Sequence, residues 1–70
     1  MSKIIDVITL GGKNGDISVL RLDKMPVKPY RRFLIGGKEY APVPVFDTEN
    51  CIAIEGRGNF KGEMVEFVAV

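Results

Sequence analysis

Glycine and proline interrupt this chain about every ten residues. The 70 residues contain eight glycines and four prolines, and no uninterrupted segment repeats apolar residues at the spacing of an amphipathic helix. The stretches between the interruptions are rich in Ile, Val, Leu, Phe and Tyr, which favour a pleated, half-buried surface. The sequence therefore predicts short β-strands and leaves little room for helix.

Six segments fit this description. They span residues 3–10, 17–22, 30–35, 38–46, 51–55 and 63–70. Asn14-Gly15 predicts a tight hairpin between the first two segments, because both residues tolerate positive φ. Gly36-Gly37 turns the chain between the third and the fourth. A change of apolar parity between Val19 and Leu20 indicates a bulge or a strong twist in the second strand.

Two strands carry expectations about their faces. The first is apolar on both faces except at Asp6 and Thr9, which is typical of a strand covered on both sides. In the third, Arg31 and Arg32 fall on opposite faces, so at most one of them joins a given patch. An arginine that pointed inward would need a carboxylate partner such as Asp6 or Glu66.

Pro42 and Pro44 limit how the fourth strand pairs. Neither can donate a backbone hydrogen bond, and both direct their backbone to the same side of the strand. If the Gly36-Gly37 loop has two residues, that side faces the third strand and pairing must stop near Tyr40. If the loop is longer or bulged, the intervening residues face the third strand and the prolines lie on an exposed edge. We favour the second arrangement.

Strands of this length and spacing predict an all-β fold in one domain over residues 1–70. The expected architecture is a small five- to six-stranded antiparallel barrel, SH3-like or OB-like in size, or else a compact sandwich. Closure is favoured because an open sheet this small leaves edges unpaired and one face uncovered. An architecture of this kind carries no function by itself.

Composition narrows the function classes. Lys plus Arg is 10 and Asp plus Glu is 9, so the net charge is +1, without the basic footprint typical of nucleic-acid or anionic-membrane binding. Cys51 is the single cysteine, which indicates a reducing compartment rather than a disulfide-bonded secreted domain. No stretch resembles a signal peptide or a membrane span. We expect a cytoplasmic protein with no membrane partner.

Groups for catalysis are scarce. The sequence has no histidine, and therefore lacks the usual general base and the commonest metal ligand. The carboxylate pairs Asp47 with Glu49 and Glu63 with Glu66 fit solvated surface, and Cys51 fits a small buried hydrophobe. We expect no enzyme, no catalytic residue, no cofactor and no metal.

The glycine-rich segment 56–62 is the first candidate for ligand binding. Its glycines leave backbone amides accessible, Arg57 and Lys61 supply positive charge, and Phe60 supplies a stacking face. Such a loop suits phosphates or a stacked base, although it lacks the Gly-Lys-Ser/Thr ending of a P-loop. The alternative is a long, mobile hairpin loop with ordinary solvating charge.

A second candidate combines basic and aromatic residues. They are Lys28, Tyr30, Arg31, Arg32 and Lys38, with Tyr40 across the turn. Single-stranded nucleic-acid binders use such alternation, since charges follow the phosphates and rings stack on bases. The two tyrosines also fit as residues that fill the barrel with their hydroxyl groups at the rim.

Two functions follow from these patterns. The first is a non-enzymatic barrel that binds protein, a second copy of itself included, through an exposed edge or a leftover apolar face. The strand 63–70, which is apolar on both faces, is the expected edge. The alternative is a single-stranded nucleic-acid-binding barrel that uses the basic and aromatic rim together with the loop 56–62. The ligand-binding residues would be Tyr30, Arg31, Arg32, Lys38, Tyr40, Arg57, Phe60 and Lys61.

Overall fold

A computed structural model describes residues 1–12, 15–44 and 50–70, which form one antiparallel sheet without a helix. The strands are β1 (Ser2–Gly12), β2 (Gly15–Leu22), β3 (Tyr30–Ile35), β4 (Lys38–Tyr40), β5 (Cys51–Glu55) and β6 (Met64–Ala69). They lie in the order β4-β3-β6-β1-β2-β5, and the sheet curls into a half-barrel. The predicted all-β, barrel-like class is confirmed. These described ranges contain no helix of the length and apolarity that a membrane crossing requires.

β1 and β2 form the long hairpin that the sequence predicts. Its register runs unbroken from Gly12 opposite Gly15 at the tip to Asp6 opposite Arg21. The predicted turn residue Asn14 lies outside the described residues, whereas Gly15, the second predicted turn residue, is the first residue of β2 and pairs with Gly12. The strands themselves follow from β-branched and aliphatic residues that alternate between the two faces of the sheet.

A β-bulge divides β1 into two halves. The register against β2 shifts between Ile4 and Asp6, so Ile5 is the extra residue. Before the bulge, Ser2 and Lys3 pair with β6. After it, β1 pairs within the described part of the chain with β2 alone. A bulge bends its strand and increases the local twist, and here it accompanies the passage of β1 from one neighbour to the other.

The bulge predicted within β2 is wrong, because the register is continuous through Val19 and Leu20. Ser18 explains the apparent change of parity. It lies on the inner face with Leu20 and Leu22 and is fully buried. Its Oγ donates a hydrogen bond to the Gly56 carbonyl oxygen at 2.6 Å. Because this inward-facing residue is polar, the sequence pattern looks as if the apolar residues switch from one face of the strand to the other, although they do not.

The turn between β3 and β4 has two residues, with Ile35 opposite Lys38. Gly36 and Gly37 have φ angles of 58° and 85°, as a type I′ hairpin turn requires. This turn length makes the favoured arrangement of the prolines wrong. Pro42 falls on the side that faces β3 and has no amide to donate, so β4 ends at Tyr40.

The chain after β4 bonds to the far end of the sheet. Val43 directs its amide away from β3 and donates to the Ala53 carbonyl oxygen in β5 at 2.9 Å, which forms an isolated bridge. Backbone groups alternate sides along an extended chain. Pro42 and Pro44 direct their backbone to the opposite side from Val43. The bond to β5 therefore does not require the N–H groups that the two prolines lack.

The concave side of the sheet holds the hydrophobic core. Its buried members are Ile4, Leu20, Leu22, Phe33, Ile35, Ile52, Ile54 and Val65. Five strands contribute these residues, and β4 adds the half-buried Tyr40. The core thus draws on every strand, as expected for a chain too small to hold more than one core.

Two expectations about exposure are wrong. β1 is not covered on both sides beyond its bulge, since Ile8 and Leu10 remain 57% and 56% exposed. β6, the expected free edge, lies inside the sheet between β3 and the start of β1. The terminal strands of the sheet are β4 and β5, and the far half of β1 adds an edge with which no described strand pairs.

Candidate functional site

The aromatic residues of the predicted ligand surface lie largely against the core. Tyr30 packs on Phe67 with ring centroids 4.7 Å apart and on Phe33 at 6.3 Å. The register of β3 against β6 shifts between Tyr30 and Arg32, which turns Tyr30 to the face that carries Phe33. The ring therefore helps to fill the barrel, which is one of the two roles that the sequence left open.

Tyr40 and Phe60 extend the aromatic cluster on another side of Phe33. The Tyr40 ring lies 6.4 Å from Phe33 and meets Phe60 edge to face at 6.0 Å. Lys38 Nζ lies 5.4 Å from the centroid of the Tyr40 ring, within reach of a cation–π contact. Lys38, Tyr40 and Phe60 are thus the predicted residues that the structure joins by direct contact. Lys61 follows Phe60 in the chain and is exposed.

Both arginines of β3 are exposed, so the condition under which one of them would need an inward carboxylate partner is not met. Arg31 is the extra residue at the register shift, and Arg32 places Nη1 3.3 Å from Glu39 Oε1 on β4. Neither arginine therefore requires the carboxylates of Asp6 or Glu66. The pair with Glu39 is about half exposed, and such pairs contribute roughly 0–1 kcal/mol to stability.

The glycine-rich loop is tied to β2. The Gly56 amide donates to the Asp16 carbonyl oxygen at 2.7 Å, and Arg57 Nε donates to Asp16 Oδ2 at 2.6 Å. The Arg57 charge is therefore paired with a carboxylate. Two bonds to one residue of β2 also hold the start of this loop.

Gly58 has a packing role in this loop. A Cβ at this position would lie 2.7 Å from Cε2 and Cζ of Phe60, so the ring covers the glycine backbone closely. This contact gives the glycine a reason to be present that involves no ligand. Phosphate or base binding by this loop is therefore less well supported, because the charge of Arg57 is paired and the ring of Phe60 packs against Gly58.

Groups suited to catalysis do not converge in the part of the chain that the structure describes. Within residues 1–12, 15–44 and 50–70, no three Cys, Asp or Glu side chains come together as a metal site would require. Glu63 and Glu66 are exposed, and Asp47 and Glu49 lie outside the described residues. Cys51 opens β5 and is half-buried, which is less enclosed than the buried thiol expected.

The far half of β1 presents an unpaired backbone edge. Asp16 and Leu22 bond through their backbone to Gly56 and Asn50, which flank β5. Alternate residues of a strand face the same side, so Ser18 and Leu20 also face β5, and Ile17, Val19 and Arg21 face β1. Because neighbouring residues of a strand face opposite sides, Val7, Thr9 and Gly11 direct their N–H and C=O groups away from β2. Among the described residues, no strand pairs with this side of β1 beyond the bulge. We call the backbone of Val7, Thr9 and Gly11 the β1 edge.

Apolar side chains flank the β1 edge on the convex side of the sheet. Ile8 pairs with Val19 and Leu10 pairs with Ile17, so the four side chains share one face. Ile8 and Leu10, nearest the edge, are more than half exposed, and their two partners are half-buried. We call these four residues the outer apolar face. Exposed apolar groups that adjoin in this way are typical of an interaction surface.

Asp6 protects part of the β1 edge. Its Oδ1 accepts a hydrogen bond from the Val7 amide at 2.9 Å, while no described side chain caps the amides of Thr9 and Gly11 in this way. Charged side chains on edge strands are a common protection against unwanted pairing. The single carboxylate inside the apolar run is the signal in the sequence that could have identified this edge.

Comparisons with known proteins supply no relative. No protein-family model, curated protein or solved structure matches the chain. The function is therefore inferred from the surfaces described above.

Proposed function

We propose that this chain is a non-enzymatic interaction module that binds protein by accepting an extended strand at the β1 edge. The observation that carries the proposal is the outward-facing backbone of Val7, Thr9 and Gly11, with which no described strand pairs, beside the exposed side chains of Ile8 and Leu10. Strand addition takes its affinity from main-chain hydrogen bonds and its specificity from alternate side chains. The β1 edge and the outer apolar face offer both.

The charges and rings on the described surface favour protein over nucleic acid. The net charge is only +1, and Arg32 and Arg57 each lie against a carboxylate. Binding of single strands needs a basic groove with exposed stacking rings, whereas Tyr30 and Phe60 pack on other aromatic rings. These contacts make nucleic-acid binding the weaker of the two functions.

Amide exchange measured by NMR tests strand acceptance. The probe is a short capped peptide of alternating valine and threonine flanked by lysines, an extended strand unrelated to this chain. We expect the peptide to shift the Thr9 and Gly11 resonances and to slow the exchange of their amides, because both would gain hydrogen-bond acceptors. The Leu20 amide faces β5 and serves as the internal reference that should not change.

Thr9→Pro is the matched variant for this experiment. It removes an outward-facing N–H and leaves the bonds between β1 and β2 intact, as proline on an edge strand can, so the peptide effect should disappear. A peptide that leaves Thr9 and Gly11 unchanged in the native chain would contradict the proposal. Oligonucleotide binding that falls steeply with salt and is lost in the double variant Arg57→Ala, Lys61→Ala would favour the nucleic-acid alternative instead.

A further inference from the structure

We infer that the strand accepted at the β1 edge is the same edge of a second copy of this chain, paired antiparallel about a two-fold axis at Thr9. The inference rests on the proposed function and names its partner. When an edge pairs antiparallel with the same edge of a second copy, the two chains are related by a two-fold axis. Each possible register then corresponds to one position of this axis along β1.

Backbone geometry limits the registers. The outward-facing residues Val7, Thr9 and Gly11 must meet outward-facing residues of the second copy. With the axis at Thr9, this residue lies opposite its own copy, and Val7 lies opposite Gly11 in both directions. The whole β1 edge is then bonded. A shift of the axis by one residue leaves Val7 or Gly11 without an outward-facing partner from the described edge.

Side chains select the same register. With the axis at Thr9, Ile8 lies opposite Leu10 of the second copy and Leu10 opposite Ile8, so four half-exposed aliphatic side chains cover one another. With the axis at Ile8, Leu10 would face the Asp6 carboxylate. With the axis at Leu10, Ile8 would face Gly12 and remain uncovered. The axis at Thr9 therefore covers both exposed side chains with apolar partners.

Charge does not oppose this arrangement. Asp6 falls opposite Gly12 of the second copy, so like charges do not meet across the paired strands, and a net charge of +1 gives little repulsion between copies. The paired edge is short, whereas stable interfaces bury about 1,200–2,000 Å². We therefore expect a weak dimer that dissociates at roughly 10 µM to 1 mM.

Asp6 adjusts the strength of this dimer. In the inferred register the Val7 amide donates to the Gly11 carbonyl oxygen of the second copy, and it must first leave Asp6 Oδ1, which it contacts at 2.9 Å. Removal of the carboxylate removes the competing acceptor. Asp6→Ala is therefore expected to tighten association several-fold.

Sedimentation equilibrium over concentrations of about 10 µM to 1 mM tests the inference. The mass of the native chain should rise from 7.7 kDa toward twice that value. Thr9→Pro should stay at the lower mass, and the midpoint for Asp6→Ala should move to lower concentration. A native chain that stays at 7.7 kDa throughout, or a folded Thr9→Pro variant that associates normally, would overturn the inference.

A cysteine variant tests the axis without relying on proline. In the double variant Thr9→Cys, Cys51→Ser, the new thiols face each other across the axis, with Cα atoms about 5.5 Å apart, within the range for a disulfide. Mild oxidation should link this variant faster than Asn59→Cys, Cys51→Ser, which places a thiol on the exposed loop. Equal rates would exclude the axis at Thr9.

The two proposals fail separately. Binding of the valine–threonine peptide by a chain that remains monomeric would refute the second copy as partner and leave strand acceptance intact. Failure of both experiments would refute both proposals.

Discussion

Replacement of Ser18 with alanine measures what a polar residue contributes on the inner face of the sheet. The change removes a fully buried hydroxyl that donates to the Gly56 carbonyl oxygen at 2.6 Å. A neutral hydrogen bond of this kind contributes about 0.5–1.5 kcal/mol, and an unsatisfied buried carbonyl costs about 1–3 kcal/mol. Gly56 is exposed, so water can reach its carbonyl. We therefore expect a loss of about 1–1.5 kcal/mol.

This loss is large for so short a chain. Native proteins are stable by about 0.05–0.15 kcal/mol per residue, which corresponds to about 3.5–10 kcal/mol here. The unfolding entropy of about 2.1 cal/mol/K per residue converts the expected loss into a decrease in Tm of about 7–10 °C. Thermal unfolding followed by circular dichroism measures it, at a protein concentration low enough to keep the chain monomeric.

Thr9→Val provides the matched control. Thr9 pairs with Ser18 across the hairpin but is exposed, so removal of its hydroxyl should change stability by less than about 0.5 kcal/mol. A Ser18→Ala variant whose Tm stays within about 2 °C of the native value would refute the reasoning. The bond to Gly56 would then contribute no net stability.

Three further changes test other contacts. Phe33→Ala should lower the unfolding free energy by about 3–5 kcal/mol, because it truncates a fully buried ring; a Tm within about 5 °C of the native value would contradict this. Gly58→Ala should displace the Phe60 ring, which a Cβ would meet at 2.7 Å, at a cost of about 1–2 kcal/mol; unshifted Tyr40 ring resonances would exclude the contact. Arg57→Ala should lower the unfolding free energy by about 1 kcal/mol or less, since the ion pair is mostly exposed. Urea titrations should show a smaller effect at high salt, and an equal effect at both salt concentrations would show that charge is not the cause.

The strands could be predicted from the sequence because their causes are local. Glycine and proline delimit runs of β-branched and aromatic residues, and the Gly36-Gly37 turn contains the two residues that positive φ favours. The pairing side of β4 could not be predicted, since it depends on whether this loop has two residues or more. A loop that is one residue longer would turn the opposite side of Pro42 and Pro44 toward β3.

The candidate site was missed for a different reason. Ile8 and Leu10 resemble Ile52 and Ile54 in residue type and spacing, yet the first two are exposed and the last two are buried. The difference arises at the bulge in β1, whose extra residue Ile5 carries no recognisable signal. Exposure of a strand depends on its neighbours in space, which alternation within one strand does not report.

The length of the Gly36-Gly37 turn decides whether the chain after β4 can bond to β5, at the other end of the sheet. One inserted residue between Ile35 and Val43 would exchange the two sides of the segment that follows. Pro42 and Pro44 would then point toward β5 with no proton to offer, and the bond to Ala53 would be lost. Two inserted residues would restore the original sides and lengthen only the loop. Tolerance of this segment to insertions should therefore follow an odd–even rule, in which the parity of its length matters more than the length itself.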